Sequence, residues 1–133
     1  RSPSTVYKSY HQRNQRLIAI FDQMINIKFS RKDDQITRFV ITGHAFNGKM
    51  AHDIVCAGVS SLAITTVNSL ETIAHFQPLV EVDEVEGGFL DCEILSDLSD
   101  KQAEIAQILL RNFENGVNAI AQEAEYSSFI KVT

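Results

Sequence analysis

The chain is 133 residues long, which suits one domain that buries roughly two-thirds of its unfolded surface. A 44% hydrophobic and 22% charged composition is that of an ordinary soluble globular protein. Two cysteines, Cys56 and Cys92, exclude a disulfide scaffold and suit a reducing cytosol. The 12 basic and 17 acidic side chains, net −5, are unevenly divided. Residues 1–23 carry Arg1, Lys8, Arg13 and Arg16 against Asp22, net +3, and residues 24–133 carry the other 8 basic and 16 acidic groups, net −8. An acidic body disfavours direct nucleic-acid binding and suits a basic partner, although acidic surfaces also serve solubility alone.

The uncharged stretch Ile54–Leu70 contains Ser60, Ser61, Thr65, Thr66, Asn68 and Ser69, and reads as too short and too polar for a bilayer span. Leu17–Phe21 falls below the apolar core of a signal peptide. The expected location is the cytoplasm, with no membrane partner.

In chain order, residues 1–23 read as an N-terminal leader or added extension, with His11 inside it, and Met24 resembles a translational start. Residues 24–133 read as the single domain. Ile25, Ile27 and Phe29 alternate with polar residues, the period of a half-buried strand. Arg31–Asp34 is a turn, and Gln35–Thr42 completes a hairpin. Gly43–His52 reads as a loop. Asp53 is the expected N-cap of a helix reaching about Ala74. That helix has no charge before Glu71, so the sheet and either a second helix or another subunit must cover it.

Val80 and Val82 alternate with Glu81 and Asp83, and Leu90, Cys92 and Ile94 alternate with Asp91 and Glu93 after Gly87–Gly88. This predicts a second hairpin, apolar on one face and acidic on the other. Ser99 and Gln102 match a capping box. Ile105, Leu109, Phe113, Val117, Ile120 and Ala124 then recur at helical spacing, and Ser128–Val132 adds a short final strand. The ββαββα order, with an antiparallel sheet and a short C-terminal strand, predicts an α+β two-layer sandwich.

The residues that bear chemistry lie between Gly43 and Ser60. The first strand pair ends at Gly43 and delivers His44 into the loop. Asp53, Cys56 and Ser60 fall on one helix face. Placed in the helix's first turn, Cys56 would meet unpaired N–H groups and the positive dipole end, which favour a thiolate. His44 would exchange its proton, Asp53 would orient a histidine as well as cap the helix, and Ser60 would hydrogen-bond near the sulfur or back to its own helix. A buried cysteine in an apolar helix can equally be an inert hydrophobe. A metal is the rival chemistry: His52 and Cys56 are one turn apart with His44 nearby, but no second ligand pair supports a structural zinc site. Cys92 reads as core, and His75 as a complement to the helix C-terminal dipole.

The run Gly43-His44-Ala45, Gly48, Asp53-Ile54-Val55-Cys56-Ala57, Val59-Ser60 closely resembles the ribosomal-processing cysteine protease family (Prp). The Gly87–Gly88 hairpin and the long final helix extend the resemblance over about residues 24–133. It implies a homodimeric α+β protease with Cys56 as nucleophile and His44 as base, supported by Asp53 and Ser60, and requires no cofactor or metal. It also implies a substrate: the N-terminal extension of a large-subunit ribosomal protein, the twenty-seventh, cut after paired phenylalanines and before alanine. Such a substrate is basic, matching the acidic body, and the Phe46–Met50 loop would act as a partly apolar lid. One departure is Ala51, where the family usually has glycine; if that glycine needs a positive φ, alanine would alter the loop. The alternative from another class is a non-catalytic ribosome-associated binding module with Cys56 merely packed.

Overall fold

The computed structural model describes residues 24–43, 48–83 and 88–133. The leader, His44–Asn47 and the tip of the second hairpin lie outside the described residues. The elements are β1 (Ile25–Lys32), β2 (Gln35–Thr42), α1 (Met50–Thr72), β3 (Leu79–Val82), β4 (Phe89–Glu93), α2 (Asp100–Gln122), a 3₁₀ turn (Ser127–Phe129) and β5 (Ile130–Val132). The ββαββα order with a final strand is as expected.

The five strands form one sheet in the order β3-β4-β2-β1-β5. It is mixed rather than wholly antiparallel. β5 pairs parallel with β1, Ile25 opposite Ile130, because α2 returns the chain to the edge on which β1 lies. The β1–β2 turn places Asp33 and Asp34 at positive φ of 53° and 64°. That left-handed pair matches the twist of the flanking strands, and aspartate tolerates it.

Alternation along β1 and β2 buries Ile25, Ile27, Phe29, Ile36, Phe39 and Ile41 on the helix side. Phe29, Phe39 and Phe113 pack with ring centroids 4.6–6.2 Å apart and join the sheet to α2. The opposite face carries Asn26, Lys28, Ser30, Arg38 and Lys131. There Arg38 forms a two-pronged ion pair with Asp91 of β4, its Nε 2.8 Å from Oδ1, which raises the arginine pKa.

The expected capping box at α2 is present. Ser99 Oγ accepts from the Gln102 N–H at 3.1 Å, and the Ser99 N–H donates to Gln102 Oε1 at 3.0 Å. Gln102 also donates to the His75 carbonyl at 2.9 Å, tying the start of α2 to the chain leaving α1. His75 sits at φ 62°, so its backbone makes the left-handed exit from the helix. Gln107 pairs both backbone groups of Ile36 at 2.8 Å, pinning α2 to β2 beside the β1 bulge.

α1 buries His52, Val55, Cys56, Val59, Ala63, Thr66 and Leu70. By length and composition it is apolar enough to cross a bilayer, which the reading from its polar residues did not anticipate. Its buried stripe packs in the core shared with the sheet and α2. Asp53 is not the N-cap: the helix begins at Met50 after Lys49, which makes no side-chain cap. Ala51 therefore sits inside α1 with ordinary helical φ, where alanine favours the helix over glycine by about 1 kcal/mol.

Gly43 ends β2 at φ +81°, and its N–H donates to the Gly88 carbonyl at 2.9 Å. A Cβ there would lie 2.5 Å from the Met24 carbonyl oxygen. Both the backbone conformation and the space demand glycine at the point where the chain leaves the sheet toward His44. Gly43→Ala is expected to cost about 1–3 kcal/mol, read as a melting temperature lowered by several degrees in thermal unfolding.

Candidate active site

Starting α1 four residues early, with Lys49 rather than Asp53 at the N-cap, moves Cys56 out of the first turn. The Asp53 N–H already bonds the Lys49 carbonyl at 2.8 Å. Cys56, three residues further on, lies past the N–H groups that lack intrahelical partners. Its backbone is therefore no oxyanion donor, and the dipole argument for a resting thiolate does not hold. Its relative exposure is 0%. Burial, with a smaller contribution from the Asp53 charge, pushes the thiol pKa up to about 11. At rest Cys56 is a protonated thiol. Cys92, expected in the core, is also fully buried, and its thiol is raised to about 12 by burial and Asp91.

The side chain beside Cys56 is His52. Its Nδ1 lies 3.5 Å and its Nε2 3.8 Å from Sγ. Residues i and i+4 share a helix face, and helical side chains lean toward the N-terminus, so Cys56 leans over His52. His52 is 2% exposed, with its ring edge-on to Phe129 at 6.1 Å. Asp53 Oδ1 approaches the same Nδ1 at 3.4 Å, while Oδ2 accepts from the Gly48 N–H at 3.1 Å. Asp53 thus does face a histidine, and it secures the chain ahead of α1 through Gly48 rather than by capping. His44 is outside the described residues. His52 entered the sequence reading only as a metal candidate; its spacing from Cys56 was the signal for the contact now seen. Among the described residues His52, Asp53 and Cys56 place three donor atoms within 4.8 Å of one another.

Ser60, one turn beyond Cys56, lines a groove of about 190 Å³ with Ile41, Ala63, Ile64, Val82, Asp83, Gly88, Phe89 and Leu90. The groove exists because the helices do not extend over β3. Val80 and Val82 point to the helix side of the sheet, opposite Cys92 and Leu90, yet remain 41% and 49% exposed. Ile64 on α1 faces the groove and is also exposed.

A buried thiol against an imidazole and a carboxylate, one turn from an apolar groove on an α+β sandwich, defines a thiol-hydrolase type of centre. A family model described as cysteine protease Prp matches residues 24–131. The ribosomal processing cysteine protease Prp of Bacillus subtilis is 32% identical over 111 residues, covering 83% of this chain and 96% of the relative. The crystal structure of SMU.848 from Streptococcus mutans superposes with a TM-score of 0.74 at 33% identity, covering 83% of this chain and 92% of that one. The ribosomal processing protease Prp from S. aureus, solved with a substrate peptide, gives 0.70 at 26% identity, covering 83% and 98%. Its complex with a covalently linked product peptide gives 0.66 at the same identity and coverage. The chain belongs to the cysteine protease Prp family and is a cysteine protease, which sets aside the non-catalytic binding module.

Alkylation of Cys56 by a small neutral reagent should be slow at neutral pH and rise about tenfold per pH unit until the thiol titrates. Asp53→Asn removes a charge that raises this pKa, so it should speed alkylation at fixed pH. Both thiols are held protonated in the fold above their ordinary value. Unfolding therefore releases protons, and folded stability should fall as pH rises from about 9 toward 11. Labelling rates mapped by mass spectrometry and denaturant unfolding across that range check both.

Proposed function

We propose that this chain is a cytoplasmic endopeptidase that removes the N-terminal extension of the twenty-seventh large-subunit ribosomal protein, a step in ribosome assembly. The observation that carries this reading is Cys56 placed one turn from the apolar groove, in a chain whose relatives are ribosomal processing proteases. The groove suits the paired aromatic residues expected before the scissile bond. The net −8 of residues 24–133 suits a basic substrate.

In this reading Cys56 is the nucleophile and His44, on the loop released by Gly43, is the proton carrier. His52, as buried as the sulfur itself, lies against Sγ and orients it; His44 is the proton carrier that the resemblance implies. Substrate entry uncovers the sulfur, and the thiol proton passes to His44. The thiolate attacks the carbonyl before the scissile bond and forms a C–S bond. Protonated His44 gives its proton to the amine as the C–N bond breaks. Water, deprotonated by His44, then hydrolyses the thioester and restores the thiol. Asp53 orients His52 and the Gly48 backbone, and Ser60 marks the groove end nearest the sulfur.

The exposed side of α1 carries Ile54, Ala57, Ser61, Ile64 and Asn68 without a charge, so a second copy of the chain is the expected cover and the protein a homodimer. A peptide containing Phe-Phe-Ala should be cut between Phe and Ala. Cys56→Ala should abolish cutting, and His44→Ala should lower kcat about 10²–10⁴-fold. Val82→Asp, in the groove, should raise KM more than it lowers kcat. Wild-type cutting by Cys56→Ala would refute the mechanism, and a monomeric mass by light scattering would refute the dimer.

A further inference from the structure

His52, Asp53 and Cys56 have the makings of a second use for the catalytic centre. We propose that these three side chains bind a zinc ion that occupies the nucleophile and holds the protease inactive. The inhibitory consequence rests on Cys56 being the nucleophile; the binding itself does not.

Imidazole, thiolate and carboxylate are the three side-chain donors that zinc takes. His52 and Cys56 stand at i and i+4, one turn apart on one helix face, the ligand spacing that helical zinc sites use. The distances also fit. Zinc bonded at ~2.0 Å to nitrogen or oxygen and ~2.3 Å to sulfur in a tetrahedron requires neighbouring donors roughly 3.3–3.6 Å apart. Nδ1 of His52 lies 3.5 Å from Cys56 Sγ and 3.4 Å from Asp53 Oδ1. All three donor atoms are within 4.8 Å of one another, so closing the set takes small side-chain adjustments.

The surroundings hold the donors in this arrangement. The Gly48 N–H anchors Asp53 through Oδ2, leaving Oδ1 toward His52, and the Phe129 ring meets the edge of the imidazole. Such outer contacts orient ligands and raise metal affinity. Binding exchanges the thiol S–H bond for a Zn–S bond and releases one proton to solvent, with no oxidation or reduction. Three protein ligands leave a fourth position for water, so the ion is removable by chelation. An ion of charge +2 also offsets the thiolate and the Asp53 carboxylate, two charges that otherwise repel at close range.

The test uses the full reduced chain, stripped with a chelator and equilibrated with zinc chloride, then with cobalt chloride as a spectroscopic substitute. Wild type should retain one zinc per chain by elemental mass spectrometry. Cobalt should give the near-ultraviolet charge-transfer band of a metal thiolate. Zinc should protect Cys56 from alkylation, and chelation should restore both labelling and peptide cleavage. His52→Gln and Asp53→Asn should each weaken zinc at least about tenfold, and Cys56→Ser should abolish the cobalt band. Should His52→Gln fail to fold, Asp53→Asn, at a partly exposed position, carries the comparison. No retained zinc, or zinc retained equally by Cys56→Ser and Asp53→Asn, overturns the proposal. A cobalt–thiolate band in a protein that cuts no peptide would support the metal site and count against the protease mechanism alone.

Discussion

The seating of α1 on the sheet is the constraint on which the rest depends. Its stripe of His52, Val55, Cys56, Val59, Ala63, Thr66 and Leu70 enters the core, so the groups that carry chemistry are packed by the forces that stabilise the fold. A thiol in that position is held rigidly and kept protonated, its pKa raised to about 11. The scaffold places the Cys56 thiol accurately and suppresses its reactivity by the same burial. In the proposed mechanism substrate supplies what the resting protein withholds: an uncovered sulfur and a proton acceptor at hand.

Local chemistry around α1 suits such a device. Gly43 at φ +81° and Gly48 at φ +84° bracket the chain carrying His44, so each end of that stretch turns through conformations that other residues resist. Asp53 anchors the Gly48 end and faces His52. One carboxylate thus couples the backbone ahead of the helix to the imidazole beside the sulfur. The groove runs on from Ser60 because β3 is left uncovered, so one sheet edge supplies an apolar surface one helical turn from Cys56.

Much of this architecture was legible in the residues. Alternation marked β1, β2 and the second hairpin, Ser99 and Gln102 marked the start of α2, and Phe113 and Val117 marked its buried face. The start of α1 was not, since Lys49-Met50-Ala51 carries no capping signal and Asp53 imitates one. That difference of four residues was enough to misplace Cys56 in the first turn and to suggest an acidic thiol. β5 reads as a strand, but the side of the sheet it joins depends on where α2 delivers it, which no local pattern encodes. The i to i+4 spacing of His52 and Cys56 alone brings the imidazole beside the thiol, and in the sequence that spacing reads equally as a metal-ligand pair. Ala51 proved to be helical, so its departure from glycine concerns the helix end rather than a strained loop.

In the proposed mechanism, peptide binding converts a buried, protonated Cys56 into the attacking group. The most direct measurement compares two reagents at neutral pH, iodoacetamide and a peptide chloromethyl ketone ending in paired phenylalanines, with the modified residue mapped by mass spectrometry. The peptide reagent should label Cys56 at least about a hundredfold faster, as expected when binding orients the reacting atoms, and should leave Cys92 untouched. Equal rates for the two reagents, or labelling at Cys92, would contradict the account.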